Sequence, residues 1–285
     1  MREIQIVGAG AIGSLFGYLL HKAGLDVLLV ARGKRLEDLK SGLRIDGLAR
    51  DFVKVDVSDK PEEARITIFA VKSYDTENAV KNVKTRIALS IQNGIGNEDI
   101  ISRYIDKVIG GVTSYAANIR EGTVFYAGKG VTVIGNWKGC REEEVEEVAE
   151  LLGKGMEIEV VDDVREAKWR KAAINAVINP LTAITGKRNG AILEELWKPA
   201  EILCEECECV LRDMKYDIDV RREVRKVAEM TANNRSSMLQ DIERGKRTEI
   251  DFINGKFIEE GRKRGVDVKA NELIYYLIKS IEGQK

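Results

Sequence analysis

The chain has 285 residues, 44% of them hydrophobic, enough for a sizeable core and, at ordinary domain sizes, for about two domains. Its 46 basic and 47 acidic residues nearly cancel, which argues against nucleic acid or an anionic membrane surface as the main partner. The amino terminus runs Met1-Arg2-Glu3-Ile4 into a strand-like stretch with no secretory apolar region, and no apolar run reaches the about 18 residues of a membrane span, so a soluble, cytoplasmic protein is expected.

The first third alternates short apolar runs with helical periodicity, as a parallel α/β sheet does. Strands are predicted at Ile4–Val7, Val27–Val30, Ile66–Val71, Ile87–Ile91 and Val108–Thr113. Between the first two, GSLFGYLLHKAG sets Leu15, Tyr18, Leu19 and Leu20 on one apolar side of a helix that ends at Gly24. Thr123–Ala127 and Val131–Ile134 are predicted to form a hairpin, and Glu142–Leu152 a helix. Near Val160–Val164 the texture changes. From Glu166 to Ile281 almost every segment has helical periodicity, with breaks expected at Asn179-Pro180, Thr185–Gly190, Tyr216–Val220, Thr231–Ser236 and Gly265. An α/β domain with a parallel sheet over residues 1–165, followed by an all-α domain over 166–285, is the expected organisation.

Residues Gly8-Ala9-Gly10-Ala11-Ile12-Gly13 form G-x-G-x-x-G between a predicted strand and a predicted helix, the context of a dinucleotide-binding turn. Gly8 permits the tight turn, Gly10 lets backbone approach a pyrophosphate, Gly13 allows close helix–strand packing, and the helix start offers free N–H groups. The first domain is therefore expected to be Rossmann-like. The second strand ends Val30-Ala31-Arg32 with no acid at its tip, where an NAD site would carry one. A carboxylate there would repel a 2′-phosphate and a guanidinium would pair with it, so NADP(H) is favoured with Arg32 as its leading contact, NAD(H) remaining an alternative. Lys34 and Arg35 read as solvated neighbours. Lys72, in Ala70-Val71-Lys72-Ser73, and Asn93, in Ile91-Gln92-Asn93-Gly94, follow later strands at the sheet edge where ligands bind. Taken singly, each would be an ordinary surface lysine or turn asparagine.

Reduction of a ketone by hydride needs a proton donor at the nascent alkoxide. The single histidine, His21, lies two turns past Gly13 and reads as a partly exposed helix residue, so a lysine of lowered pKa is the natural substitute. Lys171, Asn175 and Asn179 are spaced four apart and align on one helix face, among Ala172, Ala173, Ile174, Val177 and Ile178. Such polar groups are costly to bury without partners, although core asparagines satisfied by the fold would explain them too. Pro180 leaves the Ala176 carbonyl without its helical donor and predicts a break or kink. Ser237 with Gln240 fits a capping box whose helix start could also hold a carboxylate, and Glu249 reads as a first-turn acid of a further helix. Cys204, Cys207 and Cys209 cluster in CEECEC, but with no nearby histidine they read as helix packing, with no metal expected.

Taken in order and spacing, GAGAIG, VKSYDT, IQNGIGNED, KWRKAAINAVINPLTAITGKRNG and SSMLQDIERGKRTEIDFINGKFIEEGRKRG resemble the ketopantoate reductase family along nearly the whole chain. The resemblance implies a Rossmann domain, a helical domain, and NADPH-dependent reduction of 2-dehydropantoate to pantoate for coenzyme A synthesis. It implies Lys171 as proton donor to the keto oxygen, with Asn175, Asn179, Asn189 and Ser237 as substrate contacts and Asn234 as a further candidate. It also implies that Asn93 touches both cofactor and substrate, and that Gly8, Ala9, Gly10, Ala11, Ile12, Gly13, Lys72, Ala117 and Glu249 line the cofactor. A reductase of another small 2-keto or 3-hydroxy acid, and a non-catalytic NADP(H)-binding regulator, are the alternatives. The regulator would need no aligned Lys171 face. Oligomeric state stays open, a homodimer included.

Overall fold

Val27–Val30 lies beside Arg2–Val7 in parallel register, Ile4 opposite Val27 and Val7 opposite Val30. On the other side of Arg2–Val7, Glu63–Phe69 pairs in parallel with Ile66 opposite Ile4. All four residues of Val27–Val30 are buried, as expected of a parallel strand covered on both faces. Lys84–Ser90 and then Val108–Thr113 extend the sheet in parallel, and Asp56–Ser58 ends its opposite edge. Val131–Lys138 joins antiparallel to Val108–Thr113 and carries Glu157–Val160 beyond it, completing eight strands. The computed structural model describes residues 1–283.

The helix Ala11–Lys22 covers one face of this sheet through Leu15, Phe16 and Leu20, all fully buried, while Val7, Leu28, Val30, Phe69 and Ala88 belong to the core on the other face. Residues 1–92 with 96–167 form one compact unit; Asn93–Ile95 with the chain from Lys168 onward form another. The second unit is helical: the helix Val164–Thr185 runs into it, followed by Trp197–Asp213, Val220–Met230, Ser237–Glu243, Asn254–Arg264 and Lys269–Glu282. A parallel-dominated α/β unit before an all-α one is the fold class expected from the sequence. No helix among the described residues is long and apolar enough to cross a membrane.

The expected hairpin between Thr123–Ala127 and Val131–Ile134 does not form. Thr123–Gly128 instead pairs antiparallel with Ala116–Arg120 and parallel with Leu43–Gly47, in a separate four-stranded sheet edged by Asp51–Val53. The turn that closes the real hairpin is Glu121-Gly122, both with positive φ (49° and 81°), the geometry whose twist suits a two-residue connection. Val131–Lys138 leaves for the large sheet.

The predicted break at Asn179-Pro180 is also absent: Val164–Thr185 passes through Pro180 as one helix. The carbonyl that Pro180 cannot serve is occupied from outside, since Asn254 Nδ2 donates to Ala176 O at 2.9 Å. A side chain standing in for the missing backbone donor removes the reason to break. Cys204 and Cys207 lie fully buried in the core of the helical unit, and Cys209 is partly buried on the same helix.

Candidate active site

The glycine turn is built by close packing. Gly8 has φ +106°, and a Cβ there would lie 2.5 Å from the Val71 nitrogen. At Gly13 a Cβ would come within 2.1 Å of the Gly8 carbonyl oxygen. Gly10 differs: among the described residues no atom lies within 4 Å of where its side chain would begin. The helix that follows starts with Ala11, Ile12 and Gly13, has Gly10 as N-cap, and carries neither a side-chain cap bond nor an acid in its first turn. Uncapped first-turn N–H groups beside an open glycine fit a pyrophosphate. The arrangement therefore fits a dinucleotide on the geometry of this turn alone.

Arg32 stands exposed at the end of Val27–Val30, as N-cap of the helix Gly33–Lys40. A concavity of about 700 Å³ opens beside it, with Leu36, Asp59, Lys60 and Pro61 also on its walls. Arg35, one turn on, is not the solvated neighbour expected. Its Nε donates to the Ala9 carbonyl at 2.9 Å, Nη2 to Ser14 Oγ at 2.8 Å and Nη1 to the Gly122 carbonyl at 2.8 Å. Burial lowers its pKa, with Asp38 opposing the shift. An arginine in a surface-like tripeptide gives no sign in the sequence that carbonyls far along the chain will claim it.

The VKSYDT and IQNGIGNED segments are latched together by buried amides. Gln92 Nε2 donates to the Val71 carbonyl (2.9 Å) and to Thr76 Oγ1 (2.7 Å). Asn97 accepts from Thr76 Oγ1 at 2.8 Å and donates to Ser73 Oγ at 3.1 Å. Lys72, partly buried, sits at the N-cap of the short turn Ser73–Asp75, which the Gly8–Val71 contact brings beside the glycine turn. Ala117, partly buried, lies opposite Tyr126 in the smaller sheet and packs against the core that includes the glycine-turn helix.

In the helical unit, Lys171, Asn175 and Asn179 lie on the one helix Val164–Thr185, Asn179 buried and the other two partly so. Burial pushes the Lys171 ammonium down to about 8, the positive charge of Lys168 adds to the fall, and the Glu249 carboxylate opposes it. Lys168 itself is only 3% exposed. Buried Glu249 does not lie within a helix's first turn as expected: it caps the single turn Ile250–Phe252, and the helix proper begins at Asn254. The tripeptide of Asn93 belongs to the same unit: Ile95 N donates to the Phe252 carbonyl at 2.8 Å, and a Cβ on Gly94 (φ +77°) would strike Phe252 at 2.8 Å. Asn93 is thus held near the Glu249–Phe252 segment by its neighbours.

The asparagine-rich loops also converge. Asn189 N donates to the Asn234 carbonyl at 3.0 Å and its Nδ2 to Thr231 Oγ1 at 2.9 Å. Its Oδ1 is buried with no hydrogen-bond partner among the described residues. The cap of the next helix is Ser236, whose Oγ accepts from Leu239 N at 3.2 Å; with an apolar Leu239 at the third helical position no reciprocal bond is made, so the capping box expected on Ser237 with Gln240 does not form. Ser236 is buried and hydrogen-bonded to Thr182 Oγ1 at 2.7 Å, one turn past Asn179. Ser237 stands exposed as the first residue of its helix.

A family model described as ketopantoate reductase PanE/ApbA matches residues 4–139, and that of the PanE/ApbA C-terminal part matches residues 163–282. The 2-dehydropantoate 2-reductase of Archaeoglobus fulgidus is 48% identical over 289 residues, spanning 99% of this chain and 98% of its own. The chain belongs to the ketopantoate reductase family. Among solved structures, a PanE/ApbA family ketopantoate reductase from Ralstonia eutropha is 32% identical with a TM-score of 0.91, covering 99% of both chains. A D-mandelate dehydrogenase in complex with NADH is 26% identical with a TM-score of 0.86, again covering 99% of both chains.

Within this ketopantoate reductase family member, three polar residues that sequence reasoning passed over stand beside the expected ones. Arg35 and Ser14 hold the glycine turn, and Lys168 lies one turn before Lys171. Of these, only Lys168 carried a usable signal, as a second cation at a three-residue spacing from Lys171 on the same apolar helix.

Proposed function

We propose that this protein reduces 2-dehydropantoate to pantoate with NADPH, in the cytoplasm, as a step toward pantothenate and coenzyme A. The first unit is assigned the nucleotide and the second the keto acid and its proton. Gly8 to Gly13, Lys72 and Ala117 would hold the cofactor, with Arg32 at its 2′-phosphate, and the family resemblance adds Asn93 and Glu249 to its contacts. When bound, NADPH supplies the hydride that reaches C2 of the keto acid.

Lys171 supplies the proton. Its ammonium polarises the keto carbonyl and then gives up a proton to the forming alkoxide. A lysine of ordinary pKa would release that proton reluctantly; one lowered to about 8 is matched to a near-neutral medium. Asn93, Asn175, Asn179, Asn189 and Ser237 orient the carboxylate and hydroxyl of the substrate. The buried Oδ1 of Asn189, without a hydrogen-bond partner among the described residues, suits a hydroxyl donor, because such an acceptor gains a bond on binding.

The observation that carries this reading is the Lys171 ammonium, desolvated on an apolar helix in line with two asparagines, in a chain of this family. A regulator that only sensed NADP(H) would have no use for it. The likeness to D-mandelate dehydrogenase favours a second reading, reduction of a different 2-keto acid, with NADH open as donor. Oxidation of NADPH and of NADH by purified protein, with ketopantoate and a panel of other 2-keto acids, separates the readings. Fastest turnover of ketopantoate with NADPH is expected. No ketopantoate-dependent oxidation of either nucleotide would defeat the proposal.

A further inference from the structure

Arg35 closes a ring of hydrogen bonds on the back of the glycine turn. Its Nε reaches the Ala9 carbonyl and its Nη2 reaches Ser14 Oγ, while the same Ser14 hydroxyl donates to that Ala9 carbonyl at 2.9 Å. The Ala9 oxygen therefore accepts two bonds, one of them charge-assisted. Ser14 is fully buried, and its backbone N–H is already engaged with the Gly10 carbonyl at 2.9 Å. The third arm of the guanidinium holds the Gly122 carbonyl, at the positive-φ turn of the smaller sheet. One planar fork thus joins the second helix of the chain, the dinucleotide turn, the first helix and the Glu121-Gly122 turn.

The consequence for the turn follows from peptide geometry. In a trans peptide the carbonyl and the following N–H point in opposite directions. Fixing the Ala9 carbonyl toward Arg35 therefore aims the Gly10 N–H to the opposite side and sets the start of the helix at Ala11. That start is where the uncapped N–H groups lie, with open space beside Gly10.

We propose that Arg35 is a positioning residue for nucleotide binding, holding the Ala9–Gly10 peptide in the orientation that receives a pyrophosphate without touching the nucleotide itself. The proposal rests on the assignment of the glycine turn to NADP(H). It makes Arg35 and Arg32 distinct in kind: Arg32 discriminates between nucleotides, whereas Arg35 serves the part that NADPH and NADH share.

The test is nucleotide titration by fluorescence, without keto acid, on the wild type, Arg35→Ala, Arg35→Lys and Ser14→Ala, with melting temperatures and steady-state turnover measured alongside. Arg35→Ala is expected to weaken NADPH and NADH by the same factor, about 10–100-fold. At saturating nucleotide, kcat and the KM for ketopantoate should stay within about threefold of wild type. Arg35→Lys should recover little, because one ammonium cannot hold three acceptors in a plane. Ser14→Ala, which deletes only the hydroxyl of the ring, should cost both nucleotides about 3–10-fold and serves if Arg35→Ala fails to fold. A loss confined to NADPH would mean direct contact with the 2′-phosphate and overturn the proposal. So would a lowered melting temperature with both affinities intact, or full recovery by lysine. A wild type that binds neither nucleotide would overturn the reductase reading as well; a wild type that binds both, with Arg35→Ala unchanged, overturns the role of Arg35 alone.

Discussion

Asn254 Nδ2 donates to the carbonyl of Ala176, the one backbone acceptor in the Lys171 helix whose i+4 partner is a proline. The same amide group donates to Asn271 Oδ1 at 3.0 Å, and Asn271 is tied in turn to Glu206 through its N and Nδ2, both at 2.9 Å. At Pro180 the continuity of the helix that presents Lys171, Asn175 and Asn179 is thus supported by a side chain 78 residues beyond Ala176 rather than by its own ladder alone. Asn254→Leu strands a fully buried carbonyl and should destabilise the protein by about 1–3 kcal/mol in denaturant unfolding. Pro180→Ala restores a backbone donor to Ala176, so the double variant should lose less than the sum of the two single ones. Strict additivity would show that Asn254 does not substitute for the missing N–H.

Lys171 lies below the usual lysine range, at about 8, because burial and then Lys168 disfavour its charged form. The acid must be protonated to act, so kcat for ketopantoate reduction should hold below that value and fall as pH rises through about 8. Lys168→Met removes a neighbouring positive charge, which makes protonation of Lys171 easier and should move the fall to higher pH. Lys171→Ala should slow turnover by about 10²–10⁴-fold while NADPH still binds. Single-turnover hydride transfer at the wild-type rate in Lys171→Ala would remove it as the proton donor, and an unmoved pH profile in Lys168→Met would remove Lys168 as its modulator.

The large sheet was legible because parallel strands buried on both faces are written as uninterrupted apolar runs, Val27–Val30 being the clearest. The smaller sheet was not. Its strands LRIDG, DFV and AANIR are short, half exposed and rich in charge, and its pairing of Leu43–Gly47 with Thr123–Gly128 joins segments about 80 residues apart, which no local pattern announces. Pro180 misled for a related reason, since the donor that spares the helix comes from Asn254. In the candidate site, residues marked by spacing or by a glycine pattern were visible, namely Gly8, Gly10, Gly13, Lys171, Asn175 and Asn179. Those whose part depends on a tertiary partner, Arg35 above all, were not, because a guanidinium in GKRLED looks the same whether it faces water or the Ala9 carbonyl.

Arg32 is exposed at the tip of its strand, where no carboxylate occupies the position that would bind an unphosphorylated ribose. Its contribution is expected to be a charge-assisted pair with the 2′-phosphate of NADPH, absent with NADH. Arg32→Ala should therefore weaken NADPH by about 10–100-fold and leave NADH within about threefold, read by direct titration of each nucleotide. Screening gives a second readout, for the NADPH advantage of the wild type should shrink as salt is raised and that of the variant should not. Equal losses for both nucleotides would take Arg32 away from the phosphate.

Gly10 and Gly13 sit three residues apart in one motif but face different constraints. A Cβ at Gly13 would lie 2.1 Å from the Gly8 carbonyl oxygen, so Gly13→Ala must push backbone apart and should cost about 1–3 kcal/mol of stability. A Cβ at Gly10 meets no described atom within 4 Å, and the backbone there, at φ −68°, is open to any residue. Gly10→Ala should therefore unfold within about 0.5 kcal/mol of wild type. The methyl would nonetheless stand where the cofactor phosphates need to approach the backbone, so nucleotide affinity should fall steeply in a protein of normal stability. Denaturant midpoints and nucleotide titrations on the two variants separate a glycine kept for packing from one kept for ligand access. If Gly10→Ala bound NADPH as the wild type does, the open side of the turn would not be the phosphate site.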